Sequence, residues 1–128
     1  MALNIMRYTL THQWLRVNKP TVWGTVVTIG LTHKGQAQLG PIRHILPNMR
    51  DGATIKVGNQ LSYITGTKGP GLDFVTPIAG TLLEFNPKLT FDNFQLINRS
   101  PEDEGWLYKI RLPHDYRLLD ADDYEEHC

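Results

Sequence analysis

The chain has 128 residues, 41% hydrophobic and 20% charged, with Lys+Arg and Asp+Glu both at 13. That is the size and composition of one globular domain with one core, here expected over residues 1–128. Zero net charge, with no two Lys or Arg adjacent, leaves no footprint for nucleic acid or an anionic membrane, and no apolar run is long enough to span a bilayer.

The opening MALNIMRYTL has neither the charged-then-apolar pattern of a signal peptide nor the Arg- and Ser-rich look of a transit peptide, so the cytoplasm is the expected compartment. Trp14–Val17 reads as the first strand. Val22–Leu31 is the longest β-prone run, weakened inside by Gly24. Thr32 can cap a helix over HKGQAQL, stopped by Gly40-Pro41. Thr54–Val57 alternates weakly. Gln60–Ile64 and Leu72–Thr76 flank a glycine-rich tip, Ser62 to Gly80 reading SYITGTKGPGLDFVTPIAG. Leu82–Phe85 follows, then a polar and aromatic stretch to Pro101 expected to be loop with some helix. In WLYKIRL the alternation puts Trp106, Tyr108, Ile110 and Leu112 on one face, and Leu107 on the other predicts partial burial on both sides. Asp120 can cap a last helix over ADDYEEH, whose early acids suit its positive end. Many short strands at close spacing predict a sandwich or barrel. GTVVTIG and GTLLEFN are faintly alike, which is thin support for an internal repeat.

The chemistry-bearing residues do not assemble into a catalytic set. The five histidines, at 12, 33, 44, 114 and 127, lack helical metal-site spacing, and no serine stands in a nucleophile elbow. The acidic runs read as solvated faces. Cys128, the single cysteine, has no partner for an internal disulfide and is read as incidental. The run Gly66–Gly71 is not a Walker loop, because its lysine is followed by Gly-Pro-Gly rather than Ser/Thr and its flanks are β-like. As a hairpin it makes better sense: the glycines allow the turn, and Lys68 projects from the tip, exposed. Most tip lysines are merely solvated, so the spacing alone does not give Lys68 a role.

A wider pattern bears on that role. Tyr8–Leu15 reads YTLTHQWL. Gly30-Leu31-Thr32 is followed by Ala37 and Leu39-Gly40. Pro47, Gly52 and Gly58 precede the hairpin, and Thr76–Gly80 reads TPIAG. Asn86, Leu96-Ile97-Asn98 and Glu104–Ile110 (EGWLYKI) complete the series. In order and spacing these segments resemble the glycine cleavage H-protein family of lipoyl carriers, with Gln13 where the family has Glu. The resemblance covers almost the whole chain.

The resemblance implies a mainly β fold, a lipoyl/biotinyl-type flattened barrel-sandwich hybrid with short helices and a C-terminal helix. It implies that Lys68, which counting from Gly58 falls at the family's lysine, carries lipoate, with His12 and Asp73 lining the groove near the arm. Relative to the family pattern ESVKAASDIYSP, one residue is inserted between Lys68 and Asp73. Thr65 and Gly66 replace the Glu and Ser before the lysine. The tip is therefore expected to be longer and looser, with Gly66 costing about 0.5–1 kcal/mol relative to Ala. The implied partners are a glycine decarboxylase, an aminomethyltransferase, a dihydrolipoyl dehydrogenase and a lipoylation enzyme. Three readings stay open. The chain is a monomeric carrier, not an enzyme, shuttling an aminomethyl group in glycine catabolism, or in a variant of that reading a lipoyl carrier dedicated to another pathway; or it is an H-like interaction module without lipoate; or it is a stand-alone enzyme, for which the sequence offers no catalytic constellation.

Overall fold

The structure is a computed structural model that describes residues 6–9, 12–17, 24–68, 70–90 and 93–113. The predicted helix at Asp120, Cys128 and Trp23 lie outside them. Among the described residues β1 (Met6–Tyr8), β2 (Gln13–Val17), β3 (Val26–Leu31), β5 (Thr54–Ile55), β8 (Gly80–Phe85) and β9 (Tyr108–Arg111) form an antiparallel sheet in the order β1-β2-β3-β9-β8-β5. A second sheet, β4-β6-β7, is built from β4 (Ile42–Pro47), β6 (Gln60–Gly66) and β7 (Leu72–Val75). Helices α1 (His33–Leu39) and α2 (Gln95–Arg99) lie in the connections before β4 and before β9.

One apolar core joins the sheets. The first contributes Leu15, Val27, Ile29, Ile55, Leu82 and Ile110, and the second Ile42, Ile45, Leu61, Ile64 and Phe74. Tyr108 joins them directly: its ring lies 6.2 Å from that of Phe74, and its hydroxyl donates to the Leu61 carbonyl at 3.0 Å. Tyr108, Ile110 and Leu112 are buried on one face, while on the other Leu107 is buried, Lys109 half-buried and Arg111 exposed, so the second face is covered only in part, as the pattern predicts. On either side of β9 lie β3 and β8, and the faintly similar GTVVTIG and GTLLEFN therefore fall on the two strands that flank it.

The helix over HKGQAQL forms as read. The Thr32 hydroxyl accepts from the Gly35 N–H at 3.0 Å, and Gly40 ends the helix with φ 73°, donating its N–H to the Gln36 carbonyl. Other elements differ. The run Val22–Leu31 is a strand only from Val26 among its described residues. Val57 is 61% exposed in a turn, so β5 stops at Ile55. The strand β4 has no counterpart in the sequence reading. A register shift between Ile42 and His44 makes its burial repeat every third residue, which hides the period of two.

Candidate functional site

The glycine-rich tip departs from a simple hairpin. β6 pairs with β7 only as far as Ile64↔Leu72, whereas Thr65 and Gly66 pair with β4 opposite His44 and Ile42. The longer strand therefore carries the tip over β4 onto the corner between α1 and β4. There the Thr67 N–H donates to the Pro41 carbonyl at 3.1 Å and the Lys68 N–H to the Leu39 carbonyl at 2.8 Å. The tip leans on the body at Lys68 instead of projecting freely, and at Thr67 and Lys68 it is held, not loose.

Two glycines permit the close approach. A Cβ on Gly66 would overlap the Leu39 carbonyl oxygen. A Cβ on Gly40 would lie 2.7 Å from Thr67 Oγ1 and 2.9 Å from Lys68 Cγ. Gly66 is thus a fitted residue, and its expected cost relative to Ala does not apply here. The Lys68 side chain is exposed, and no carboxylate among the described residues pairs with its ammonium. Its stem crosses the bare backbone of Gly40, and its head is open to solvent.

Beside the tip lies a groove of about 210 Å³, lined by His12, Gly35, Gln38, Leu39, Pro70, Gly71 and Leu72. His12 is half-buried with φ 63°, a left-handed conformation that His, Asn and Asp adopt more readily than most side chains. Its carbonyl accepts from the Thr32 N–H at 3.0 Å, and its Cβ rests on the backbone of Gly35. The structure thus brings His12 next to the outgoing limb of the hairpin. Asp73 lies outside the groove. It is exposed on β7, across the pair from Tyr63, and its carboxylate accepts from Gln60 Nε2 at 2.7 Å. Gln13 is buried, and its amide donates to the Val75 carbonyl, tying β2 to the end of β7.

His12 also lines a wider groove of about 500 Å³ with Tyr8, Thr9, Thr32, His33, Lys34 and Glu102. Glu102 closes one wall, accepting from the Tyr8 hydroxyl at 3.0 Å and from the His33 N–H at 2.8 Å. Partial burial, and then the Glu102 carboxylate as acceptor and as charge, pushes the Tyr8 phenol above its ordinary range.

Residues that the sequence did not single out for the site support its corner. Asn98 Oδ1 accepts from the Ile42 N–H at 2.9 Å and from Gln36 Nε2 at 3.3 Å, and Gln36 Nε2 also reaches the Gly40 carbonyl at 3.2 Å. Asn98 was legible only as the last residue of the LIN match, and nothing local pairs it with residues near position 40.

Among the described residues no group of three or more His, Cys, Asp or Glu is placed to hold a metal, and no helix is long and apolar enough to cross a membrane. The family model described as Glycine cleavage H-protein matches residues 6–128. A glycine cleavage system H protein from Thermotoga maritima is 33% identical over 98% of this chain and 98% of its own length. One from Marinobacter nauticus is 35% identical over 95% of this chain and 91% of its own. The crystal structure of a glycine cleavage system H protein from Mycobacterium marinum superposes with a TM-score of 0.69 at 22% identity, covering 96% of this chain and 97% of that one, which shows the shared sandwich fold. The chain belongs to the glycine cleavage H-protein family, whose members are lipoyl carriers in the glycine cleavage system and not enzymes.

Proposed function

We propose that the chain carries lipoate on Lys68 and presents it in turn to a glycine decarboxylase, an aminomethyltransferase and a dihydrolipoyl dehydrogenase, as a single-domain monomer in the cytoplasm. The observation that carries this reading is an exposed amine on a backbone held by Leu39, with no carboxylate among the described residues engaging it.

The residues present fit the group. A lysine amine forms a stable amide with an activated carboxyl, and its four-carbon stem lengthens the arm. Leu39, Pro70 and Leu72 give the adjoining groove apolar walls, and His12 and Gln38 add polar atoms, so a small ring with polar substituents can rest there. When bound, the dithiolane supplies thiol–disulfide exchange and a sulfur that takes up an aminomethyl group. The chain's own part is presentation. The Leu39 and Pro41 carbonyls fix where the arm begins, and the docked tip keeps its sweep over one end of the molecule. Tethering then holds the carried group at high effective concentration wherever the domain docks.

Intact mass of the protein from its native host tests the reading. One lipoyl adduct, absent from Lys68→Ala, is expected. An unmodified mass in cells that lipoylate other proteins would leave the interaction-module reading standing instead.

A further inference from the structure

We propose that Asn98 and Gln36 are positioning residues for the acylation of Lys68. The inference rests on Lys68 being the lipoyl attachment point and adds what sets its geometry.

The two carbonyls that hold the tip, Leu39 O and Pro41 O, both lie within the segment from Gln36 to Ile42. That segment turns from helix to strand through Gly40, whose φ of 73° and missing side chain make it the most pliable point of the corner. Pro41 has no N–H with which to anchor itself. The corner is secured from outside. Asn98 Oδ1 takes the Ile42 N–H at one end and Gln36 Nε2 at the other, and Gln36 Nε2 also holds the Gly40 carbonyl between them. One amide oxygen on α2 therefore bridges both ends of the segment on which Lys68 is seated. Its neighbours Leu96 and Ile97 are buried and anchor the helix in the core, while Asn98 faces the corner. Releasing Asn98 frees the Gly40–Pro41 and Pro41–Ile42 peptides to turn, although the Gly40 N–H still holds the Leu39–Gly40 peptide to the Gln36 carbonyl; the Pro41 carbonyl that accepts from Thr67 then moves, and with it Lys68, the next residue along the tip.

Acylation is sensitive to such a shift. The neutral Lys68 amine attacks the acyl carbon of an activated lipoyl donor, here lipoyl adenylate. The N–C bond forms, the C–O bond to phosphate breaks, AMP leaves with the electron pair, and the amine proton passes to solvent. A transferase that binds a docked tip must meet the nitrogen at a fixed place, and a misplacement near 1 Å slows such steps by up to about a hundredfold.

The test compares Asn98→Leu, Asn98→Asp and the parent chain. Asp keeps the accepting oxygen and Leu removes it. Two quantities are read: amide hydrogen exchange at Lys68 relative to Ile110 with no donor present, and kcat/KM for transfer from lipoyl adenylate by a lipoyltransferase. Asn98→Leu is expected to speed exchange at Lys68 by about tenfold or more relative to Ile110, and to lower kcat/KM by ten- to about a hundredfold. Asn98→Asp is expected to restore both. If Asn98→Leu does not fold, Gln36→Ala, on a half-buried helical position, carries the same comparison. Equal acylation of variant and parent, unchanged exchange at Lys68, or an Asp variant as slow as the Leu variant overturns the proposal. A parent chain that takes no lipoyl group while a second lipoyl protein in the same tube does overturns the carrier reading itself, and the donor-free exchange data keep the two failures apart.

Discussion

The α-carbon of Gly66 is set against the carbonyl of Leu39 with no room for a methyl group between them. Glycine inside a strand ordinarily weakens it, so Gly66→Ala would be a stabilising change in an undocked hairpin. Here the sign reverses. The added Cβ forces β6 away from the corner, and the Lys68 and Thr67 bonds to Leu39 and Pro41 lengthen together. Gly66→Ala is expected to cost about 1–3 kcal/mol, measured as a lower urea midpoint, with faster amide exchange at Lys68. A gain in stability would show the tip to be free.

Lys68→Arg separates charge from chemistry. Arginine keeps a cation on an exposed stem, but its guanidinium stays protonated and forms no lipoyl amide. Stability should stay within about 0.5 kcal/mol of the parent, as for other surface changes. The lipoyl adduct should vanish from the intact mass. An adduct retained in the variant would place the modification on another residue.

Local rules made much of this molecule legible. The cap at Thr32, the stop at Gly40 and the partial burial of WLYKIRL on its second face at Leu107 follow from propensity and period, and they emerged as read. The site was readable only in part. Lys68 was found by counting from Gly58, and its exposure is what a tip implies. Its seat was hidden because it depends on β4, where a bulge erases the alternation, and on backbone carbonyls, which have no residue signature. Gly66 read as a loss of stiffness because the atom that requires it, Leu39 O, is remote in sequence. The groups that hold the corner, on Asn98 and Gln36, are 62 residues apart. No periodicity connects positions at that range.

His12 carries a conformational constraint that its chemistry alone does not reveal. With φ at 63°, it tolerates side chains without a branch at Cβ. Its carbonyl takes the N–H of Thr32, the cap of α1, so a change of backbone at His12 reaches the helix that floors the groove. His12→Val is expected to lose about 1–3 kcal/mol, while His12→Asn holds the same backbone at much smaller cost. Urea unfolding of the pair measures the difference. Equal stabilities would show that the backbone at position 12 relaxes without consequence for α1.

Tyr108 predicts an alkaline limit to stability. Burial, with the negative charge of Asp51 adding to it, pushes its phenol up to about 12 from an ordinary value of 10.0. In the unfolded chain the phenol ionises near its ordinary value, while the folded chain keeps the proton for the bond to Leu61. Between those two values the unfolded state binds fewer protons, so stability falls as pH rises. The contribution is complete below pH 10 and gone above about 12, a loss of roughly 2–3 kcal/mol across the window. Tyr108→Phe removes the titration and the phenol's bond to the Leu61 carbonyl, which keeps the Asn48 N–H, at a cost of about 1 kcal/mol at neutral pH. The variant should therefore begin less stable and fall less steeply, and urea unfolding of both chains between pH 8 and pH 12 measures the two slopes. Parallel slopes would mean that the phenol ionises as easily in the core as in the unfolded chain.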